Sequence, residues 1–134
     1  MAYRNDPEVA KYQSWSLPYP RQKAEAFIQE MQDVHAPKQG VWLQLALELK
    51  KTGETIGDVA FGVKEDDPRQ CSVGFTIASA HQRNGYASEA LTALLDYLFE
   101  DVDMHRVVAD CDTENIGDGR SLRRSVTILP VLCF

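Results

Sequence analysis

Apolar and polar residues alternate most regularly between 41 and 50. Val41, Leu43, Leu45, Leu47 and Leu49 share one face, and Trp42, Gln44, Ala46, Glu48 and Lys50 share the other. A period of two predicts a β-strand. Lys51-Thr-Gly-Glu is a turn signal, and 55–63 returns as a second strand, in which Gly57 and Gly62 mark close backbone approach or a bulge. A polar loop at 64–70 leads to a third strand, where Cys71, Val73, Phe75 and Ile77 alternate with Ser72, Gly74 and Thr76. Links this short favour an antiparallel meander. Elsewhere the period lengthens to that of a helix. Asp6-Pro-Glu opens a short one over 6–15, with Asp6 as cap, Pro7 at the first helical position and Glu8 at the positive dipole end. Ala24, Phe27, Ile28 and Met31 give a second over 21–34. Ala87, Ala90, Leu91, Leu94, Leu95 and Leu98 form a stripe over 87–100, with Glu89, Thr92 and Asp96 facing out. A fourth strand at 105–111 follows by a right-handed crossover onto a parallel neighbour. These elements predict an α/β domain of the α+β kind, with a mixed, mostly antiparallel sheet flanked by helices.

Composition narrows the function classes. Lys and Arg total 14 and Asp and Glu 20, a net charge of −6. That balance argues against partners such as nucleic acid or an anionic membrane. No apolar stretch approaches the roughly 20 residues of a membrane helix. The opening Met1-Ala-Tyr-Arg-Asn-Asp-Pro-Glu is too polar for a secretory signal, so the expected location is cytoplasmic. Cys71, Cys111 and Cys133 are far apart and form no Cys/His cluster, so neither a disulfide framework nor a metal site is expected, and Cys71 and Cys111 read as core residues. Trp15, Trp42 and Tyr12 read as packing residues rather than a substrate cage.

Chemistry concentrates between Gly74 and Leu91, where a strand feeds a glycine-containing loop and then a helix. The first turn of a helix presents unpaired amides and a positive dipole end, which suits an anion. Gly85 lets backbone approach a phosphate closely, and Arg83 adds a cation. The loop lacks both the Gly-Lys-Ser/Thr ending of a nucleoside-triphosphate site and the Gly-x-Gly-x-x-Gly of a dinucleotide fold. A phosphate fits; a magnesium-bound triphosphate does not.

Gln82-Arg-Asn-Gly-Tyr-Ala resembles the Gln/Arg-x-x-Gly-x-Gly/Ala signature of the GCN5-related N-acetyltransferases, the GNAT family. Tyr3-Arg-Asn-Asp-Pro-Glu-Val-Ala-Lys-Tyr-Gln-Ser-Trp resembles the opening helix of the branch that includes ribosomal-protein N-terminal acetyltransferases. Glu54-Thr-Ile-Gly-Asp, Ser88-Glu-Ala-Leu and His105-Arg-Val-Val-Ala agree in order and spacing. The resemblance implies that 1–134 is a single N-acetyltransferase-like domain. It implies acetyl-CoA as co-substrate, an acetyl group passing by direct attack to a primary amine on a protein N-terminus or a small molecule, and no metal. Backbone amides from Arg83 through Asn84, Gly85 and Tyr86 to Ala87 would hold the pyrophosphate, with Ser88 at the helix start and Gln82 beginning the motif. Main chain around Ile77 would pair with the pantetheine, a donor there would stabilise the oxyanion, and Asn115 would contact the coenzyme arm.

The chain departs from the family in two places. It begins almost at the first helix, where the family has a strand before it. Residues 118–134 lose the family pattern and carry no acid after Asp118, as a truncation or a change of reading frame would produce. The usual last strands are therefore expected to be lacking, and the uncovered sheet edge invites a homodimer. Two alternatives follow: a non-catalytic coenzyme-binding remnant, or a structural module that uses that edge. Candidate bases are Asp58, either lining the substrate cleft or a solvated strand acid, and His81, either beside the reacting groups or simply a loop histidine.

Overall fold

The structure is a computed structural model that describes residues 2–34 and 37–109. Cys111, Asn115, Cys133 and the atypical stretch 118–134 lie outside the described residues. Four strands, β1 (Trp42–Glu48), β2 (Thr55–Val63), β3 (Gln70–Ile77) and β4 (Arg106–Ala109), form one sheet in the order β1-β2-β3-β4. The first three make the expected antiparallel meander, and β4 runs parallel to β3 after the crossover. Both glycines of β2 mark close approach. A Cβ on Gly57 would collide with the Thr76 carbonyl, and one on Gly62 would meet the Trp42 indole. The one shift of register in β1–β2 lies at Leu47/Glu48.

Helix α3 (Tyr86–Asp96) lays its leucine stripe on one face of the sheet. Leu91, Leu94 and Leu98 close the core with Val59, Phe61 and Val63 of β2, Cys71 and Val73 of β3, and Val107 of β4. The helix was expected to continue to residue 100. Instead Tyr97–Asp101 forms one π-helical turn, which still buries Leu98 completely. Leu43 and Leu47 of β1 pack on this core. Leu45, between them on the same expected face, is 41% exposed because nothing among the described residues covers it.

The N-terminal segment supplies the opposite face. A 3-10 turn (Ala2–Asn5) precedes α1 (Pro7–Ala10), and α2 (Arg21–Gln32) follows. Asp6 caps α1 as its residue type requires, accepting from the Glu8 amide. The expected helix over 6–15 is only one turn long. The chain folds back on itself there: Trp15 Nε1 donates to the Arg4 carbonyl at 3.0 Å, and the Asn5 side chain accepts from the Tyr19 amide at 2.8 Å.

Two titrations give checks on this fold. Burial pushes the Cys71 thiol up from 9.0 to about 11. The folded state favours the neutral thiol, so this contribution is intact below pH 9.0 and lost as pH rises toward about 11. With Cys111 and Cys133 replaced by serine, Cys71 is expected to resist a thiol reagent until the protein unfolds; rapid labelling of native protein would contradict its burial. In the loop before β3, Asp67 accepts from the Arg69 amide and side chain and from Gln70, which hold its carboxyl down at about 2. Its stabilisation is present above its ordinary 3.8 and lost as pH falls to about 2. Asp67→Asn is expected to flatten the acid limb of thermal stability over that window.

Candidate active site

Strand β3 is eight residues long, and among the described residues β4 pairs only with Gln70, Cys71, Ser72 and Val73. The described part of β4 therefore stops short of the strand end at 74–77. Beyond it the chain makes a 3-10 turn (Ser79–His81) and swings through two left-handed residues, Arg83 at φ 64° and Gly85 at φ 83°, into α3. No side chain caps α3, so the amides of its first turn depend on solvent or a ligand. Gln82, Arg83, Asn84 and Gly85 are exposed, and Tyr86, Ala87 and Ser88 are half-buried. A Cβ on Gly85 would stand in open space. The turn is neither occluded nor turned inward.

Side chains brace this turn from behind. Asn84 Nδ2 donates to the carbonyls of His81 and Gln82 at 3.2 and 3.1 Å. Gln82 Nε2 donates to the Ile77 carbonyl at 3.0 Å, so the motif's first residue ties the turn to the strand end. The Ala78 amide is committed to Ile56 O at 2.8 Å. His81 Nε2 lies 3.1 Å from Glu54 Oε1, which ties the turn to the β1–β2 hairpin. The Ser79 hydroxyl donates to Asp6 Oδ2, and this bond, with the Glu8 amide, draws the Asp6 carboxyl below its ordinary range.

Asp58 is not a solvated strand acid: it is 5% exposed. Alternation turns it away from Val59 and Phe61, toward the N-terminal segment. Its Oδ2 accepts from Tyr3 Oη at 2.5 Å and Arg4 Nη2 at 3.1 Å, and its Oδ1 accepts from Gln44 Nε2 at 2.6 Å. Burial, then the Asp58 charge, pushes the Tyr3 phenol well above its ordinary range. For Arg4, burial works against the charge, but Asp58 and Tyr3 together more than offset it and the guanidinium is held more firmly protonated. That guanidinium also lies 4.6 Å from the Trp15 ring centre and 5.4 Å from those of Tyr19 and Phe27. Trp15 thus packs, as expected. Tyr3, Arg4 and Gln44 were not singled out from the sequence. Gln44 was within reach, since the tight hairpin sets Ala46 opposite Asp58 and Gln44 one diagonal step away. Nothing in the sequence links Arg4 to a residue 54 positions later.

These parts define an α/β domain in which an exposed, uncapped helix start follows the end of β3, beside a parallel neighbour described as far as Ala109. The sequence profile described as acetyltransferase (GNAT) domain matches residues 1–125, and the chain belongs to that family. It is 29% identical over 113 residues to p20, an uncharacterized N-acetyltransferase of Bacillus licheniformis, covering 84% of this chain and 62% of that one. With YnaD, an uncharacterized N-acetyltransferase of Bacillus subtilis, identity is 29% over 122 residues, covering 91% and 67%. The chain thus spans about two-thirds of the length of these relatives. Among solved structures, a candidate ribosomal-protein-serine acetyltransferase from Vibrio cholerae superposes with a TM-score of 0.70 at 28% identity, over 87% of this chain and 68% of that one. A Vibrio cholerae spermidine N-acetyltransferase, solved with CoA and spermine, gives 0.73 at 17% identity over 92% and 70%, a likeness of fold. Among the described residues no group of three metal-ligating side chains occurs, and no helix is long and apolar enough to cross a membrane.

Proposed function

We propose that the protein transfers an acetyl group from acetyl-CoA to a primary amine. The observation that carries this reading is the left-handed turn that leaves the start of α3 uncapped and exposed at the end of β3. A pyrophosphate suits such a turn: it would accept from amides between Arg83 and Ser88, with the Arg83 guanidinium beside it. Asn115 would contact the coenzyme arm. The coenzyme supplies an activated thioester. Main chain at 74–77 would accept the pantetheine as an added strand, which sets the acyl carbonyl by backbone register. The chain's contribution is then orientation of amine against carbonyl. Since the Ala78 amide is already paired with Ile56 O, the oxyanion donor would be the amide of Ile77 or of a residue before it. Asp58, with its oxygens engaged by three donors, is a poor base, and His81 is paired with Glu54. The amine would enter uncharged or lose its proton to water, and the CoA thiolate released as the C–S bond breaks would take a proton from water.

A protein N-terminus and a small amine both remain as acceptors, in keeping with neighbours named for a ribosomal-protein serine and for spermidine. The net charge of −6 favours a cationic acceptor. Calorimetric titration with coenzyme A tests the reading, followed by acetyl-CoA consumption with spermidine, kanamycin and a serine-initiated peptide. Binding with turnover supports it. Binding without turnover on any amine favours a coenzyme-binding remnant, and no binding rejects both.

The outer edge of β1 favours a further assignment, a homodimer. Trp42 and Leu45 are 50% and 41% exposed along a strand with no outer partner among the described residues. A dimer is expected in sedimentation at micromolar concentration, with Leu45→Lys converting it to monomer; a monomeric parent protein would remove the assignment.

A further inference from the structure

Resting on the proposed transfer, we infer that the buried cluster of Tyr3, Arg4, Gln44 and Asp58 is a positioning element. It sets the N-terminal segment as the wall against which the acceptor amine meets the strand end at 76–79. On the α3 face, Phe61, Leu91, Leu94 and Leu98 are core. The opposite face carries the N-terminal segment, which packs over Asp58 and Thr76, each no more than 6% exposed and directly across from one another, with Thr76 one residue before Ile77. An amine would therefore reach the strand end along the rim of that segment, not through the face beneath it.

The N-terminal segment is clasped to that face twice. Tyr3 and Arg4 hold Asp58, and two residues later Asp6 receives the Ser79 hydroxyl. One clasp meets β2 opposite Thr76, and the other meets the chain three residues beyond Thr76. Two attachments at different points along one strand end fix an angle as well as a separation. The aromatic rings of Trp15, Tyr19 and Phe27 around Arg4 extend the constraint to α2. Asp58 Oδ2 takes two donors and Oδ1 a third, and the residue is 5% exposed, so it acts through its neighbours and does not touch the reacting atoms.

The test uses the full chain as Arg4→Gln, Arg4→Lys and the apolar pair Arg4→Met with Asp58→Leu. Arg4→Gln is expected to lower kcat/KM for the responsive amine by about a hundredfold, the scale of a 1 Å misplacement, and to weaken coenzyme A binding by calorimetry far less, since the turn before α3 is untouched. Amide exchange at 76–79 should accelerate while that of 91–98 does not. Arg4→Lys recovers part of both losses. The apolar pair removes the buried charge together with its partner. It is expected to restore the melting temperature but neither the amine kinetics nor the protection at 76–79. If the apolar pair restores both, or if Arg4→Gln leaves exchange at 76–79 unchanged, the inference is overturned. Failure of the parent protein to bind coenzyme A would sink the transferase reading alone, and the exchange pattern would still decide whether this cluster positions the strand end.

Discussion

Gly85→Val is expected to weaken coenzyme A binding by about a hundredfold or more. Gly85 sits at φ 83°, where a β-branched side chain is strained by about 1–3 kcal/mol. The chain can relieve that strain only by rotating the peptide that aims the first amides of α3. Each hydrogen bond from such an amide to a charged phosphate contributes about 1.5–3 kcal/mol, so losing even one brings the sum to about 2.5–6 kcal/mol. The added side chain meets nothing in the protein itself, since a Cβ at Gly85 stands in open space. Overall stability should therefore fall much less than affinity. Gly85→Ala should lie between the two, and Ser88→Ala close to the parent. Calorimetry and thermal melting on the same samples separate the effects. Undiminished affinity in Gly85→Val would mean that the turn does not hold the pyrophosphate.

The second large effect is on stability. Asp58→Ala leaves the Arg4 guanidinium 7% exposed with no carboxylate beside it. Removing one member of a buried ion pair costs about 3–5 kcal/mol, because the other charge stays desolvated. At about 4 °C per kcal/mol for a domain of this size, the melting temperature should drop by roughly 10–20 °C. The rings around Arg4 offset part of that loss, which favours the lower end. Arg4→Ala should cost a similar amount by stranding Asp58. A change of only a degree or two in Asp58→Ala would show that water reaches the pair readily.

The sheet was legible because its signals are local. Alternation at 41–50, the glycine turn at 53 and the strand glycines specify a meander, and β2 occupies the expected 55–63. The turn into α3 was legible for the same reason, as a contiguous Gln82-Arg-Asn-Gly-Tyr-Ala whose glycine adopts a positive φ. The N-terminal segment was not. Its helix-opening signal at Asp6-Pro-Glu is genuine, but bonds between Asn5 and Tyr19 and between Trp15 and Arg4 outweigh the propensity to continue. Burial of Asp58 was equally hidden. An acid at alternate positions on a strand reads as solvent-facing unless a cation from far along the chain arrives to cover it, and nothing in the sequence announces which one does. The assignment of Asn115 falls outside the described residues.

The strand end at 74–77, leading straight into the turn before α3, carries a consequence for how this domain tolerates change. Where a guest is read by peptide groups, the spelling of donors and acceptors must survive, and the side chains behind that rim answer to the interior instead: Thr76 and Ile77 are each 6% exposed. Substitutions there have to keep both the extended backbone and the buried volume, and a proline would erase a letter that such a guest would need.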